Sequence, residues 1–371
     1  MKKIDKVGRA AAIWHFIRTG LDCFMIDHPT SSHGAFSRRQ AKCRIPADTA
    51  GQRLIEFLAG RFAYHTEPEW RCLVEAGQVL VNHKAASTED LLRFGDMVEY
   101  MPPDLPEPAV NSDFKIVYED DHLLVIDKPG NLPVHPAGAY FHHTLWALLR
   151  ETRPGEVIRF VNRLDRETSG LLLAGKTAAV CAECVDALSR PDARKEYLAL
   201  VEGDFPDVLT ADGWLARRDD SLIRKKTWFM PGERPPPEDS AARRVRTRFA
   251  SIYSAGKLSL VKAWLDTGRT HQIRASLEYF GFPLVGDKIY GVDETVFLRF
   301  IDGGQTAADK ISTRLPRQAL HAARLVMRHP VTGCLSEWRA PLPDDMLTLI
   351  KNVGGNRFVR AAELATAGTT L

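Results

Sequence analysis

Apolar residues in the amino-terminal third of the chain recur at the spacing of an amphipathic helix. In QRLIEFLAGRF, the side chains of Leu54, Phe57, Leu58 and Phe62 fall on one helical face. PEWRCLVEAG predicts a second helix that ends at a glycine, GQVLVNHKAA predicts a short strand and turn, and FGDMVEY predicts a glycine turn followed by a strand. These elements predict a small α/β unit over residues 43–101.

Beyond this unit the pattern changes to short apolar or alternating runs that are broken by turn residues. VYEDDHLLVIDK, KEYLALVEG, RTRFASIYSAGKLSLVKAWLDTG and LVMRHPVTGCLSEWRAPLP predict strands. Helical runs near 144–151, 177–189 and 271–280 lie between them without regular βαβ alternation. Residues 113–345 are therefore predicted to form an α+β domain built on a largely antiparallel sheet.

Prolines mark the boundary between the two units. MPPDLPEPAV continues neither a helix nor a strand easily, so residues 102–112 are predicted to be a linker. The stretch GERPPPEDSA predicts an exposed loop within the second unit. Residues 1–42 form an amino-terminal extension and residues 346–371 a carboxy-terminal tail, and the pattern assigns neither of them a role.

The composition is that of an ordinary globular protein, with 44% hydrophobic and 26% charged residues in a chain of 371. No run approaches the roughly 18 apolar residues that span a bilayer, so we expect no membrane segment and a cytoplasmic location. The six cysteines are scattered, and Cys181 and Cys184 form a CxxC that lacks the paired histidines or second CxxC of a zinc site. We expect a monomer with reduced thiols and with neither metal nor cofactor.

Positive charge is concentrated in residues 215–248, which contain ten Lys or Arg against five Asp or Glu, although the formal net charge of the chain is only +3. Such a segment can neutralise the phosphates of a nucleic acid. A solvated loop face explains the same charges equally well. The sequence leaves both interpretations open.

The segment NRLDRETSGLLL, residues 162–173, contains the strongest candidate for chemistry. Asp165 follows an arginine and a leucine and precedes a Thr-Ser-Gly turn that leads into a short buried strand. This arrangement would place the carboxylate on a loop that the core braces. Taken alone, the segment favours a turn or helix-capping aspartate over a catalytic one.

This segment resembles the signature of the RluA-like family of pseudouridine synthases, which usually reads His-Arg-Leu-Asp before a Thr-Ser-Gly turn. Four more stretches resemble the same family in the same order: VYEDDHLLVIDKPGNLPVHP at 117–136, KEYLALVEG at 195–203, GRTHQIRASLEYFGFPLVGDKIYG at 268–291 and LHAARLVMRHPVTG at 320–333. The resemblance implies a long mixed sheet, mainly antiparallel, with the active cleft across its middle. It also implies that residues 43–101 form an S4-like RNA-binding domain.

The resemblance assigns roles to four residues of the second unit. It makes Asp165 the essential carboxylate, Arg274 the arginine that pairs with it, and Tyr197 the platform on which the target uracil stacks. Arg163 resembles the residue that enters the space left by the flipped-out nucleotide. Ordinary alternatives are a solvated helix arginine for Arg274 and core packing for Tyr197.

Four further cations are candidates for binding RNA phosphate. Lys128 lies in a turn-rich stretch that resembles a family motif, and Arg53, Arg61 and Arg71 lie on the helical faces of the S4-like unit. The alternatives are a structural role for Lys128 and solvated surface positions for the three arginines.

The implied activity is the isomerisation of uridine to pseudouridine in structured RNA, either rRNA or tRNA, without a cofactor. One ionised carboxylate can attack C1′ or C6 as a nucleophile or support a glycal-like route by removing a proton, and the sequence does not choose among these. A neighbouring arginine would lower the pKa of that carboxylate.

Two positions depart from the family pattern, because Asn162 and Ser276 stand where histidines are usual. Both flank the implied catalytic groups, so an RNA-binding or ribosome-assembly factor without activity is the alternative function. A hydrolase with paired carboxylates is a weaker alternative, because no feature nominates a second acid near Asp165.

Overall fold

The computed structural model describes residues 41–367 except 63–64, 102–105, 138, 218–220, 224–225, 237–240, 292 and 302. Residues 1–40 of the predicted extension, and Arg218, Arg224 and Lys225 of the basic segment, lie outside the described residues. The chain divides into two compact units, one drawn from Met1–Ala109 with His135–His143 and the other from Val110–Val134 with Thr144–Leu371. In the described ranges no helix combines the length and the hydropathy that crossing a bilayer requires.

Among its described residues, the first unit has a four-stranded antiparallel sheet and two α-helices. Its strands have the order β1-β4-β2-β3. The elements are β1 Ala41–Arg44, α1 Leu54–Arg61, α2 Glu67–Glu75, β2 Val79–Val81, β3 Lys84–Ala85 and β4 Met97–Tyr100. Leu54, Phe57 and Leu58 are buried on the predicted face of α1 and share one core with Trp70 of α2. Both predicted helices and the predicted strands are present.

Within the described residues the second unit contains one sheet of eleven strands. They are β5 Lys115–Glu119, β6 Leu123–Lys128, β7 Arg159–Phe160, β8 Ser169–Gly175, β9 Arg194–Glu202, β10 Val208–Arg217, β11 Thr227–Pro231, β12 Arg243–Ala255, β13 Leu258–Leu265, β14 Leu320–Arg328 and β15 Leu335–Arg339. The order is β11-β10-β12-β13-β9-β14-β8-β6-β5, with β15 beside β14 and β7 beside β8. Strands β8 and β14 are parallel, and the other described pairs are antiparallel. The predicted α+β fold with a long, mainly antiparallel mixed sheet is confirmed.

Helices cover both faces of this sheet. They are α3 Leu145–Thr152, α4 Ala178–Ala187, α5 Gln272–Tyr279, α6 Thr295–Ile301, α7 Ala307–Thr313 and α8 Asp344–Ala367. Ala199 and Val201 of β9 join the core under α5, whereas Leu198 and Leu200, which alternate with them, join the core under α8. Residues 346–367, for which the sequence predicted a tail, therefore pack against the sheet as part of α8.

The parallel pairing of β8 with β14 brings two distant segments of the chain together. His321 of β14 lies opposite Ser169 of β8, so the residues just before each strand are neighbours. Gly170 permits this approach, because its φ is +105° and a Cβ there would lie 2.3 Å from the carbonyl oxygen of Ala322. On the other side of β14, strand β9 places Tyr197 opposite Ala322. The two loops and the middle of β9 converge at this point of the sheet.

Candidate active site

The loop before β8 is held by the core and by hydrogen bonds at both of its ends. Asn162 Oδ1 accepts the backbone N–H of Leu173 at 2.8 Å, and Leu164 is buried. The backbone N–H of Thr168 donates to the carbonyl oxygen of Asp165 at 3.1 Å, which closes the predicted turn. The side chain of Asp165 remains 26% exposed. The loop therefore presents one partly accessible carboxylate from a braced backbone.

Arg274 of α5 reaches the Asp165 carboxylate and is itself fixed by a second carboxylate. Its Nη1 donates to Asp165 Oδ2 at 2.7 Å, while Nε and Nη2 donate to the two oxygens of Asp287 at 2.7 and 2.9 Å. Asp287 also accepts the backbone N–H groups of Ile289 and Tyr290. This bidentate contact orients the guanidinium, so that Nη1 points at Asp165.

Electrostatics keep the Asp165 carboxylate ionised. Burial alone would raise the pKa of Asp165, but the charges of His271 and Arg274 and the hydrogen bonds from Arg274 and Gln318 lower it well below its ordinary value. Burial also opposes the charge of Arg274, yet the negative charges of Asp287 and Asp165 raise the pKa of that guanidinium. The site therefore holds a permanent anion beside a permanent cation at neutral pH.

Gln318 is a residue of the site that sequence reasoning missed. Its Nε2 lies 3.3 Å from Asp165 Oδ2 and 2.6 Å from Thr168 Oγ1, and the residue is buried. One feature of the sequence could have indicated it: Arg317 and Gln318 stand just before a buried strand, and a polar side chain that is buried there needs a hydrogen-bond partner. The partner itself could not be read from the sequence, because the pairing of β8 with β14 supplies it.

The stretch GDKIYG, residues 286–291, also contributes to the site, although the sequence pattern indicated no catalytic role for it. Besides Asp287, it provides Lys288, whose Nζ donates to Glu167 Oε1 at 2.9 Å and to the carbonyl oxygen of Pro316 at 2.6 Å. The side chains of Lys288 and Glu167 are 3% and 15% exposed. This ion pair ties the loop that carries Asp165 to the segment before β14.

His271 begins α5 in a left-handed backbone conformation, with φ 59° and ψ 13°. Such a conformation is uncommon for a residue other than glycine. Its Nδ1 lies 3.0 Å from the hydroxyl of Tyr290, and its Nε2 lies 3.8 Å from Asp165 Oδ2. His271 is therefore close enough to act on Asp165 through its charge, but it makes no direct hydrogen bond to the carboxylate.

Tyr197 lies in the middle of β9, opposite Ala263 on one side and Ala322 on the other. It packs against the core under α5 and against a second core that includes Leu172. Burial and the negative charge of Asp165 raise the pKa of Tyr197 to about 12. The ring is therefore a neutral aromatic surface within electrostatic range of Asp165, and its role as a platform stays a prediction.

The structure also locates Arg163 and Ser276, two other residues of the motifs. Arg163 is exposed on the loop that carries Asp165. Ser276 is buried in α5, and its hydroxyl has no hydrogen-bond partner among the described residues. Nothing in the structure explains why serine replaces histidine at this position.

The prediction that Lys128 binds phosphate is wrong. Lys128 is fully buried, and its ammonium donates to the carbonyl oxygens of Pro129, Leu132 and Arg166 at 2.7, 2.9 and 3.1 Å. These three acceptors use all three of its donors. Lys128 is therefore a structural residue that joins the end of β6 to the loop that carries Asp165.

The three arginines proposed for the first unit lie at its surface. Arg53 pairs with Glu89, and Arg71 pairs with Glu67 one helical turn away at 2.8 Å. Arg61 is exposed at the end of α1. Exposed pairs of this kind contribute about 0–1 kcal/mol, so they leave the arginines available to a stronger anion. The role of these residues in binding phosphate stays a prediction.

Part of the basic segment lies on the sheet face that points away from α5. Arg244, Arg246 and Arg248 alternate along β12 with residues of the core under α5. They share two aspartates, since Arg244 pairs with Asp212, Arg246 lies 3.7 Å from both Asp212 and Asp266, and Arg248 lies 3.6 Å from Asp266. The positive charge of this strand is therefore partly balanced within the sheet.

The chain is similar to one described protein family and to several named proteins. The family described as RNA pseudouridylate synthase matches residues 122–279. Ribosomal large subunit pseudouridine synthase D of Nitrosomonas europaea is 32% identical over 317 residues, which cover 83% of this chain and 86% of that protein. The Pseudomonas aeruginosa protein of the same name is 32% identical over 320 residues, which cover 84% of this chain and 95% of that protein.

A yeast relative has a different RNA in its name. The tRNA pseudouridine(32) synthase, mitochondrial, of Saccharomyces cerevisiae is 32% identical over 265 residues, which cover 71% of this chain. The match spans 56% of the length of the yeast protein.

The family match and the relatives define the chain as an RNA pseudouridine synthase, an isomerase that acts on uridine in RNA. Within that class it belongs to the RluA-like family, and the resemblance seen in its five sequence motifs is confirmed.

Proposed function

We propose that Asp165 is the essential carboxylate of this pseudouridine synthase, with Arg274 as its ion-pair partner and Tyr197 as the platform for the uracil. The observation that carries the proposal is the 2.7 Å contact from Arg274 Nη1 to Asp165 Oδ2. It joins residues from two separate motifs at the point where Tyr197 also lies.

The reaction needs one bond broken, one bond formed and one proton moved. The C1′–N1 bond breaks and leaves its electrons on the uracil, the uracil turns, and C1′ joins C5. The proton on C5 is then lost to water, while N1 takes up a proton from water. An ionised Asp165 can attack the nucleotide or accept a proton from the ribose, and both routes need the anion that Arg274 maintains. The flat neutral ring of Tyr197 would hold the uracil by stacking while it turns.

Arg163 has the properties of a residue that stabilises a flipped-out nucleotide. A uridine inside a helix is out of reach until it leaves the stack, which costs a few kcal/mol. Arg163 is exposed and lies two residues before Asp165. A planar guanidinium that enters the vacant position recovers part of the lost stacking.

The proposed substrate is a uridine in rRNA or tRNA, the two classes of RNA that the names of the relatives contain. We propose that the first unit is an S4-like RNA-binding domain that contacts phosphate through Arg53, Arg61 and Arg71. We also propose a cytoplasmic monomer, with residues 102–112 as the linker between the RNA-binding and catalytic domains.

Replacement of Asp165 tests the proposal directly. We expect Asp165→Asn and Asp165→Ala to abolish tritium release from C5-labelled uridine RNA and to remove the stops in carbodiimide primer-extension mapping of cellular RNA. Asp266→Asn is the matched control, because Asp266 is also a carboxylate beside arginine, but its partners are Arg246 and Arg248 of β12 rather than Arg274. Full activity of either Asp165 variant would refute the assignment.

A factor that binds RNA without modifying it is the alternative, and the same assay separates the two. Wild-type protein that binds RNA and releases no tritium from any cellular RNA fraction would favour it. The combination of a lowered Asp165 pKa with an oriented Arg274 weighs against this alternative, because a binding protein gains nothing from a poised carboxylate.

A further inference from the structure

Gln318 ties the loop that carries Asp165 to the start of β14. Its backbone N–H donates to Glu167 Oε2 at 3.2 Å, and its side-chain Nε2 donates to Thr168 Oγ1 at 2.6 Å and to Asp165 Oδ2 at 3.3 Å. Gln318 stands 153 positions from Asp165 in the chain, yet it contacts three of four consecutive loop residues. The contacts arise because β8 and β14 run parallel with Ser169 opposite His321.

The amide of Gln318 has one orientation that its surroundings accept. An ionised carboxylate is only an acceptor, so the amide group that faces Asp165 Oδ2 must be the NH₂ rather than the carbonyl. The second N–H of the same nitrogen is used by Thr168 Oγ1. Because the residue is 2% exposed, water does not compete for these donors. The amide is therefore a fixed donor aimed at the carboxylate.

Both donors to the carboxylate act on the same oxygen. Arg274 Nη1 and Gln318 Nε2 lie 2.7 and 3.3 Å from Asp165 Oδ2, and the approach of His271 at 3.8 Å is to this atom as well. None of the described residues donates a hydrogen bond to Oδ1. A carboxylate held through one oxygen by two donors from different directions cannot turn about its Cβ–Cγ bond without losing at least one of them.

We propose that Gln318 is a positioning residue which, together with Arg274, holds Asp165 by Oδ2 and thereby presents Oδ1 to the uridine. This inference rests on the proposed role of Asp165. In the nucleophilic route, a lone pair of Oδ1 forms the bond to C1′ while the electrons of the C1′–N1 bond pass to the uracil. In the glycal route, Oδ1 accepts the ribose proton. In both routes Oδ1 keeps its reactivity because no hydrogen-bond donor among the described residues competes for it.

Two substitutions of Gln318 test this role. Gln318→Met keeps the volume and removes the donor, and we expect kcat to fall by about 10- to 100-fold, the value of one hydrogen bond to a charged group. Gln318→Glu places a like charge beside Asp165, and we expect a larger loss. KM for the RNA should change by less than about 2-fold, because Gln318 acts on the carboxylate rather than on the substrate.

The pH profile of kcat gives a readout that a purely structural role would not move. The hydrogen bond from Gln318 lowers the pKa of Asp165, so its loss raises that pKa, and the acid limb of the profile moves to higher pH. The shift should be larger for Gln318→Glu than for Gln318→Met.

Gln272 provides a matched control for the loss of a buried amide. It is also 2% exposed, and its amide bonds to Thr247 and Thr267 rather than to Asp165. We expect Gln272→Met to lower thermal stability and to leave the acid limb where it is. Thr168→Val gives a second route if Gln318 variants do not fold: it frees one N–H of the amide and should move the acid limb in the same direction by less.

The outcomes separate this inference from the proposed function. Asp165→Asn without activity, together with a Gln318→Met enzyme of normal kcat and unchanged acid limb, would overturn the positioning role alone. Activity in Asp165→Asn would overturn the proposed function, and the positioning role with it. If Gln272→Met and Gln318→Met moved the acid limb equally, Gln318 would have only a structural role.

Discussion

One guanidinium serves two carboxylates at the centre of the site. Asp287 holds Arg274 through hydrogen bonds from Nε and Nη2, and Nη1 donates to Asp165. The planar fork of arginine makes this division possible, because its donors point in fixed and different directions. An ammonium group would have to satisfy both anions from one point.

Arg274→Lys tests this geometry at the level of a single residue. We expect kcat to fall by at least about 100-fold, because lysine keeps the charge but cannot bind Asp287 by a bidentate contact and still reach Asp165. Tritium release under single-turnover conditions measures the effect. An enzyme with near-normal kcat would show that charge alone suffices and that orientation by Asp287 has no role.

Lys128 illustrates a residue that the sequence could not place. A lysine beside a proline in a turn-rich loop suggests exposure, yet the structure buries it under three carbonyl oxygens. Burial lowers the pKa of Lys128 from 10.5 to about 7, with the positive charge of Arg317 acting in the same direction. Between these pH values the unfolded chain binds a proton that the folded protein has released.

Lys128→Met is therefore expected to change stability and to leave RNA binding alone. Because the unfolded state holds more protons between pH 7 and 10.5, the contribution of Lys128 to the free energy of unfolding rises with pH in this window, and the variant should lose that rise. Urea unfolding at several pH values measures it. If the affinity of the variant for RNA depended less on salt concentration than that of the wild type, Lys128 would bind phosphate after all.

At the scale of elements, the parallel contact between β8 and β14 creates the site. The sequence predicted both strands, the helices near 144–151, 177–189 and 271–280, and the class of the sheet, because hydrophobic spacing records local structure. It did not predict which strands are neighbours, since that depends on residues about 150 positions apart. The resemblance nominated Asp165, Arg274 and Tyr197, and it included Asp287 in a motif without giving it a role. Gln318, whose contacts depend on the pairing of β8 with β14, was missed.

Gly170→Ala tests the importance of this contact. Gly170 has a φ of +105°, and an added Cβ would lie 2.3 Å from the backbone oxygen of Ala322. Gly155→Ala is the control, because Gly155 also has a positive φ, +87°, but has nothing within 4 Å of its Cβ position.

We expect Gly155→Ala to lower the free energy of unfolding by about 1 kcal/mol through backbone strain alone. Gly170→Ala should lower it by several times as much and should also reduce kcat, because the strands that hold Asp165 and Gln318 must separate. Thermal unfolding and tritium release measure the two effects. Equal effects in both variants would mean that the close approach has no influence on the site.

At the scale of the whole molecule, two units carry different parts of the proposed task. The second contains the carboxylate, its partner and the aromatic platform. The first contributes a small core and a surface with Arg53, Arg61 and Arg71. The arginines of β12 are balanced in part by Asp212 and Asp266, so they are weaker candidates for binding phosphate than the sequence alone indicates.

Replacing Arg53, Arg61 and Arg71 together by Gln tests whether the first unit binds RNA phosphate while the second carries out the reaction. Each phosphate contact contributes about 0.7–0.9 to the slope of log affinity against log salt concentration, so we expect the slope to fall by about 2–3. KM should rise while kcat stays constant. The same replacement of Arg244, Arg246 and Arg248 is the control and should leave the slope unchanged. The opposite pattern would move the RNA contact to the sheet of the second unit.

The sharing of Arg274 between Asp165 and Asp287 has a consequence for the energy profile of the reaction. One positive and two negative charges leave this trio with an excess of one negative charge. When the glycosidic bond breaks, positive charge develops at C1′ and disappears again once the new bond has formed. The trio attracts a sugar that carries positive charge more than it attracts the neutral nucleoside on either side of that state, and such selective attraction lowers a barrier. The charge of His271, 3.8 Å from Asp165 Oδ2, opposes part of this attraction.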